Sequence, residues 1–304
     1  MKNIKIFVLI VVCLMLSSAA AQAKKLRIGV TLHPYYSFVA NIVEDLAEVV
    51  PVIPAGANSH GYHPQPEDIK GIMTLDAMVV NGIGHDEFAF EILEAAQMKG
   101  KIPLIYANEG VALLPIAGTQ GSDRIVNPHT FISISTSIQQ IYTISKALMK
   151  LDPVNAKAYQ RNTRTFTSRL RRMKAKYMQQ LSDVPLTDFR CATVHGAYSY
   201  LMQEFGLRVE AVIEPRHGLK PTASQLKETI ETIASLNVDV IFSEMDFPDK
   251  YVGTIQEATG VKLYSLSHIT IGPYTKETFE NLMQHNIETV ITALLEVQTE
   301  KNQQ

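Results

Sequence analysis

Short apolar runs alternate with helix-patterned stretches along almost the whole chain, and this alternation constrains the fold more than any other feature. In the first half, residues 26–32, 49–53, 77–81 and 104–107 read as strands, with helical patterns over 38–46, 66–75 and 87–98 between them. In the second half, strand candidates at 190–194, 209–213, 238–243 and 261–266 are separated by helical stretches at 199–205, 223–236 and 251–259. A final amphipathic helix covers 276–297. Strand, helix, strand in repetition predicts parallel βαβ units. The clearest break is Asp152-Pro153, an N-cap residue followed by a proline suited to a first helical turn. From there Tyr159, Phe166, Leu170, Met173, Tyr177 and Leu181 recur at steps of three, four and seven, the spacing of one helix face. A helix running to about Ser182 would be roughly 45 Å long. The predicted architecture is α/β: two lobes, each a parallel β-sheet flanked by helices, joined by one long backbone helix. The first lobe is placed at 24–151, the helix at 152–183 and the second lobe at 184–304.

Residues 1–23 are set apart from the fold as a cleavable export signal. Lys2 and Lys5 form a basic start, 6–16 an uncharged apolar core, and Ala21-Gln22-Ala23 a small-residue cleavage site. An apolar run of about eleven residues is too short for a bilayer span, which needs roughly twenty. Cys13 follows Ile10-Val11-Val12 rather than the small residue that a lipid-attachment signal wants, so a soluble periplasmic protein starting at Lys24 is expected. That segment holds two of the 28 basic residues, leaving 26 against 30 acidic ones. This near-balance, with export, argues against a nucleic-acid partner. Cys191 is then the sole cysteine, so no intramolecular disulfide can form. The linking helix carries Lys157, Arg161, Arg164, Arg169, Arg171, Arg172, Lys174 and Lys176 without one acid, read as a solvated face.

Three histidines each sit in a turn just after a strand-like run: His60 in Asn58-Ser59-His60-Gly61, His129 in Asn127-Pro128-His129, and His195 in Val194-His195-Gly196. Open α/β sheets bind ligands beyond the carboxyl ends of their strands, where such turns converge. Two of these turns belong to the first lobe and one to the second, so a cleft between lobes would unite them. Three imidazoles at one point form a site for a borderline-soft divalent metal. His33 and His85 follow the first and third strands and aim at the same edge. His63 reads as a supporting or surface residue, His217 as part of an exposed turn, and His285 as a structural or exposed residue of the last helix.

The motifs around these histidines resemble one family. Gly56-Ala57-Asn58-Ser59-His60 with Pro64-Gln65-Pro66-Glu67-Asp68 is similar to the G-x-D-P-H-x-Y-E-P-x-P-x-D loop of zinc/manganese ABC-transporter substrate-binding proteins. Asn127-Pro128-His129 resembles their D-P-H turn, and His195-Gly196-Ala197-Tyr198-Ser199-Tyr200 with Phe205-Gly206-Leu207 their H-x-A-F-x-Y…G-L segment. The resemblance covers essentially the whole mature chain in motif order. It implies a monomeric periplasmic carrier that holds a divalent metal between two lobes and delivers it to a membrane permease. His60, His129 and His195 become metal ligands by the same correspondence. The departure is at the fourth ligand. The family has an acidic residue at the end of the last strand, where this chain has Ser267 in Tyr264-Ser265-Leu266-Ser267-His268. His268 is taken as the replacement, with a water, Glu244 or His63 as the alternatives.

Imidazole donors favour zinc, while manganese prefers oxygen ligands, so Zn2+ is expected ahead of Mn2+. The segment 113–126 is short and has no histidine, which removes one cue that zinc carriers often show. A zinc hydrolase is the competing class, since three histidines and a water also make a catalytic site. The chain lacks an H-E-x-x-H helix and a G-x-S-x-G elbow, so no enzyme is expected. Neutral imidazoles bind metal, so affinity should fall once the pH drops below about 6.5. In metal titrations, His195→Ala should cost orders of magnitude in affinity and His217→Ala almost nothing; equal losses would undo the ranking.

Overall fold

The structure is a computed structural model and describes residues 24–115, 126–214, 222–245 and 250–303. The proposed export signal and His217 lie outside the described residues, as does the side chain of His60. The first lobe contains β1 (Arg27–Val30), α1 (His33–Val43), β2 (Glu48–Pro51) and α2 (Pro66–Ile72). It continues with β3 (Ala77–Val80), α3 (Glu87–Ala95) and β4 (Leu104–Tyr106). Two long helices follow, α4 (Ile134–Leu151) and α5 (Ala156–Gln179). The second lobe has β5 (Cys191–His195), α6 (Ser199–Glu204), β6 (Val209–Glu214) and α7 (Ala223–Ser235). It then has β7 (Val240–Glu244), α8 (Lys250–Thr259) and β8 (Lys262–Leu266), and α9 (Thr278–Lys301) closes the chain.

All pairings in both sheets are parallel, and the two sheets share one order, β2-β1-β3-β4 and β6-β5-β7-β8. The chain leaves β1 towards one side of the sheet and β3 towards the other, and β5 and β7 do the same. Each lobe therefore opens a crevice at the carboxyl ends of its two central strands. β3 is buried along its whole length, as is β5, the pattern of strands covered on both faces.

The linking region differs from the single helix expected. Residues 134–151 form a further helix, α4, that pairs with α5 along its length. Ser133 caps it, accepting the Thr136 amide at 3.5 Å, and the Glu204 carboxylate accepts the Ile134 and Ser135 amides at 2.8 and 3.0 Å. α5 begins at Ala156, not at Asp152-Pro153. Asp152 instead closes the turn between the helices, taking hydrogen bonds from the Asn155 side chain at 2.8 Å and the Tyr159 hydroxyl at 2.7 Å. With 24 residues α5 is about 36 Å long. Part of its basic run is structural. Arg169 binds Glu280 of α9 at 2.7 Å and the Asn41 amide oxygen of α1 at 2.8 Å, and Lys174 reaches Glu204 at 2.8 Å. Burial pushes the Cys191 thiol up to about 12, helped by the carboxylates of Glu210 and Asp239. Among the described residues, no helix is long and apolar enough to cross a membrane.

One core runs through both lobes, from Ile28 and Val79 past Phe166 and Leu170 of α5 to Val240 and Leu266. Its aromatic centre is Phe38 of α1, edge-on to Phe279 of α9 at 4.7 Å and 6.3 Å from Phe166. The segment 272–276 is laced to α1 as well. Ser37 donates to the Thr275 carbonyl at 2.7 Å and Asn41 to that of Lys276 at 2.7 Å, while His33 contacts the Gly272 carbonyl at 3.0 Å and stacks on Tyr274. Phe38→Ala should therefore destabilise both lobes together, by about 3–5 kcal/mol, read as a single shifted urea transition of the metal-free protein.

Candidate metal centre

The turn after β3 places the first imidazole. Asn81-Gly82-Ile83-Gly84-His85-Asp86 folds back on itself through Gly82 (φ 73°), Gly84 (φ 108°) and His85, which itself has φ 80°. A histidine there is uncommon, and something must hold it. Asp86 does so: its buried carboxylate accepts the Asn81 amide at 2.6 Å, the Gly82 amide at 3.2 Å and the Thr31 hydroxyl at 2.8 Å. Burial raises its pKa to about 6, against the lowering effect of those donors. His85 Nδ1 lies 2.7 Å from the Ser59 hydroxyl, which leaves Nε2 directed away from that bond. Ser59 opens the 3-10 turn Ser59–Gly61, so the backbone of His60 belongs to the turn that holds His85.

His129 is set by Asn127. The Asn127 amide oxygen accepts both the His129 backbone amide at 3.1 Å and its Nδ1 at 2.8 Å, which puts the proton on Nδ1 and leaves Nε2 as the donor atom. The Asn127 amide nitrogen donates to the Gly196 carbonyl at 2.8 Å, one residue beyond His195. The first lobe's histidine turn is thus bonded directly to the second lobe's. His195 itself ends β5, the central strand of its sheet. Its Nε2 stands 3.4 Å from Nε2 of His129. Nitrogens bound to one metal at about 2.0–2.1 Å lie roughly 2.9 to 3.4 Å apart.

His268 follows β8 by two residues. Asn286 of α9 accepts the Ser267 amide at 2.7 Å and donates to its carbonyl at 2.8 Å. The Ser267 hydroxyl accepts the Ile269 amide at 3.1 Å, in a turn where Ile269 has φ 61°. Ser267, where the motif resemblance expects an acid, thus takes part in the turn that presents its neighbour. His268 Nδ1 lies 3.0 Å from the Thr270 hydroxyl, and its ring is 4.9 Å from His129, 5.5 Å from His85 and 5.7 Å from His195.

Two overlapping groups of ligand atoms result, His85 with His129 and His268, and His195 with Glu244 and His268, within 4.8 Å in each group. All five residues are buried. Glu244 ends β7, so the central strands of the second sheet supply one imidazole and one carboxylate. A carboxylate buried among imidazoles is an environment for a cation, because burying the charge alone is costly. The structure brings together His129, His195 and His268 of the expected set with Glu244, one of the alternatives for the fourth position, and adds His85. His85 is aimed at this sheet edge by its sequence alone but is not marked there as a ligand; the Gly-x-Gly-His turn directly after a buried strand is the available signal. His63 is exposed and His33 is engaged with Gly272 and Tyr274, so neither joins the group. His285, read as structural or exposed, bonds the Ser265 carbonyl at 3.1 Å.

Residues 28–293 match the family described as zinc-uptake complex component A, periplasmic. The chain belongs to this family. A structure of the SBP FpvC from Pseudomonas aeruginosa in complex with Mn2+ is 56% identical, with a TM-score of 0.86, covering 90% of this chain and 99% of that one. A second FpvC structure, in complex with Ni2+, is 55% identical with a TM-score of 0.84, covering 90% and 98%. The iron-binding protein YfeA of Yersinia pestis is 28% identical over 79% of this chain and 76% of its own length. As a member of the family, the protein is a metal-binding substrate-binding protein of an ABC transporter, and the hydrolase alternative falls away. If His85 shares the bound ion, His85→Ala should weaken metal binding by at least roughly tenfold, about 1.4 kcal/mol, while His33→Ala leaves it within a factor of about two. Isothermal titration of the two variants decides this.

Proposed function

We propose that this protein captures a divalent first-row transition metal outside the cytoplasm and hands it to the permease of an ABC importer. The ligands are His60, His129, His195 and His268, joined by His85 and Glu244. The observation that carries this reading is the meeting of imidazoles from three separate strand ends and from the His129 turn with one buried carboxylate at the crevices of both sheets. His85, His129 and His268 each have Nδ1 against a neighbouring hydroxyl or amide, and the Asn127 amide holds the turn of His195, which is how binding sites orient a histidine before the metal arrives.

Zinc is the cargo that the imidazole-rich donor set supports. Manganese is the second reading: Glu244 brings an oxygen donor to the site, and a relative 56% identical is known with Mn2+. A site with five or six donors suits an octahedral ion better than a four-coordinate one, which also speaks for the second reading. The protein acts as a soluble monomer in the periplasm, with residues 1–23 removed at export. It performs no chemistry on its cargo. Delivery needs the metal to leave, so tight binding in the closed crevice has to be relieved by docking on the permease.

Demetallated protein should bind Zn2+ below micromolar concentration in competition titrations; failure to do so overturns the site. Metal analysis of protein taken directly from the periplasm separates the readings, with stoichiometric zinc supporting the first and stoichiometric manganese the second. Intact mass of the same sample should correspond to a chain starting at Lys24 with no lipid attached.

A further inference from the structure

The residue that relates two of these imidazoles to each other touches neither of them. Asn81 is fully buried at the carboxyl end of β3, and every polar atom it has is used. Its side-chain nitrogen donates to the Gly84 carbonyl at 2.6 Å and to the Pro128 carbonyl at 3.1 Å. Those two carbonyls belong to the residues immediately before His85 and His129. One amide group therefore clamps both histidine turns, which are 44 residues apart in sequence, at a fixed separation. The two rings stand 4.8 Å apart and nearly perpendicular.

The clamp is itself held from behind. The Asn81 amide oxygen accepts the Tyr35 hydroxyl at 2.5 Å and the Asn108 amide at 2.6 Å. Gln140 of α4 donates to Tyr35, to the Asn108 oxygen and to the Thr130 hydroxyl, at 2.9 to 3.1 Å. Thr130 follows His129 directly, so the network returns to the site it started from. Four side chains of the interior thus fix one amide orientation, with its donor face towards the metal-bearing turns. Asn81 has a partner at each of its polar atoms, and in such a buried network altering one member disturbs the rest.

We propose that Asn81 is a positioning residue that sets the distance and angle between the His85 and His129 imidazoles, and through them the affinity and coordination geometry of the bound ion. The proposal rests on the metal-site reading above. Supporting groups that orient metal-binding histidines typically contribute about 10–100-fold in affinity.

The test uses the full mature protein with Zn2+ for affinity and Co2+ as a spectroscopic probe of coordination. Asn81→Ala removes the clamp; Asn81→Asp keeps its shape and its acceptor for Tyr35 and Asn108 but loses the donors. The added charge of the Asp variant would by itself draw a cation in more tightly, so a loss of affinity there reads geometry. Expected are a native circular dichroism spectrum without metal, a Zn2+ affinity about tenfold or more below wild type in both variants, and a shifted Co2+ absorption band. In a His85→Ala background the Asn81 penalty should shrink, since one of the two clamped ligands is gone. Unchanged affinity and an unchanged Co2+ band would overturn the proposal, as would tighter binding by the Asp variant. Collapse of the metal-free fold in both variants would also overturn it, making Asn81 a folding residue. Failure of the wild-type protein to bind Zn2+ or Co2+ would instead strike the metal-site reading.

Discussion

Everything about this site depends on the parallel pairing of strands. A parallel sheet sends the carboxyl ends of all its strands to one edge, and the order with β1 and β3 at its centre splits the connections there into a crevice. Both lobes repeat that order, so two crevices exist, and the candidate donors come from them: His85 after β3, His195 at β5, Glu244 at β7 and His268 after β8. An antiparallel sheet would scatter the same residues to both ends. The metal centre is thus a consequence of topology before it is one of side-chain choice.

Holding two crevices together is a separate requirement, and the structure meets it by a shared core and crossing polar bonds. Phe38, Phe166 and Phe279 join α1, α5 and α9, which come from three distant parts of the chain. Arg169 is anchored to both α1 and α9, and Asn127 of one histidine turn bonds the Gly196 carbonyl of the other. The segment after His268 crosses back to α1, so His268 is positioned by both lobes at once. Such a frame limits large relative motion and favours donors that are already in place when the ion arrives. Release then has to be assisted from outside.

The strand–helix alternation was readable because buried parallel strands are short apolar runs, and 77–80 or 240–244 show it without ambiguity. Helix α4 was not readable. Ile132-Ser133-Ile134-Ser135 alternates with period two at its start, and only its packing against α5 and its capping by Glu204 commit it to a helix. Asp152-Pro153 was a sound signal for a boundary but not for a helix start, since the carboxylate serves Asn155 and Tyr159 instead. At the site, His129 and His195 were legible from their turns. His85 was legible only as a residue aimed at the right edge, because nothing local says that Ser59, 26 residues earlier, will stand against its Nδ1.

Residue patterns alone carry the two-lobe α/β class, the placing of His195 and His268 at strand ends, and the serine at 267 where the resemblance expects an acid. These are local matters of periodicity, turn chemistry and residue type. Only the packing of the two lobes shows which of those histidines share a point in space, that Glu244 stands with them, and that Ser267 takes part in the turn before His268. Convergence of residues 85, 129, 195, 244 and 268 is set by two sheets docking through one core, and no window of the sequence contains that distance.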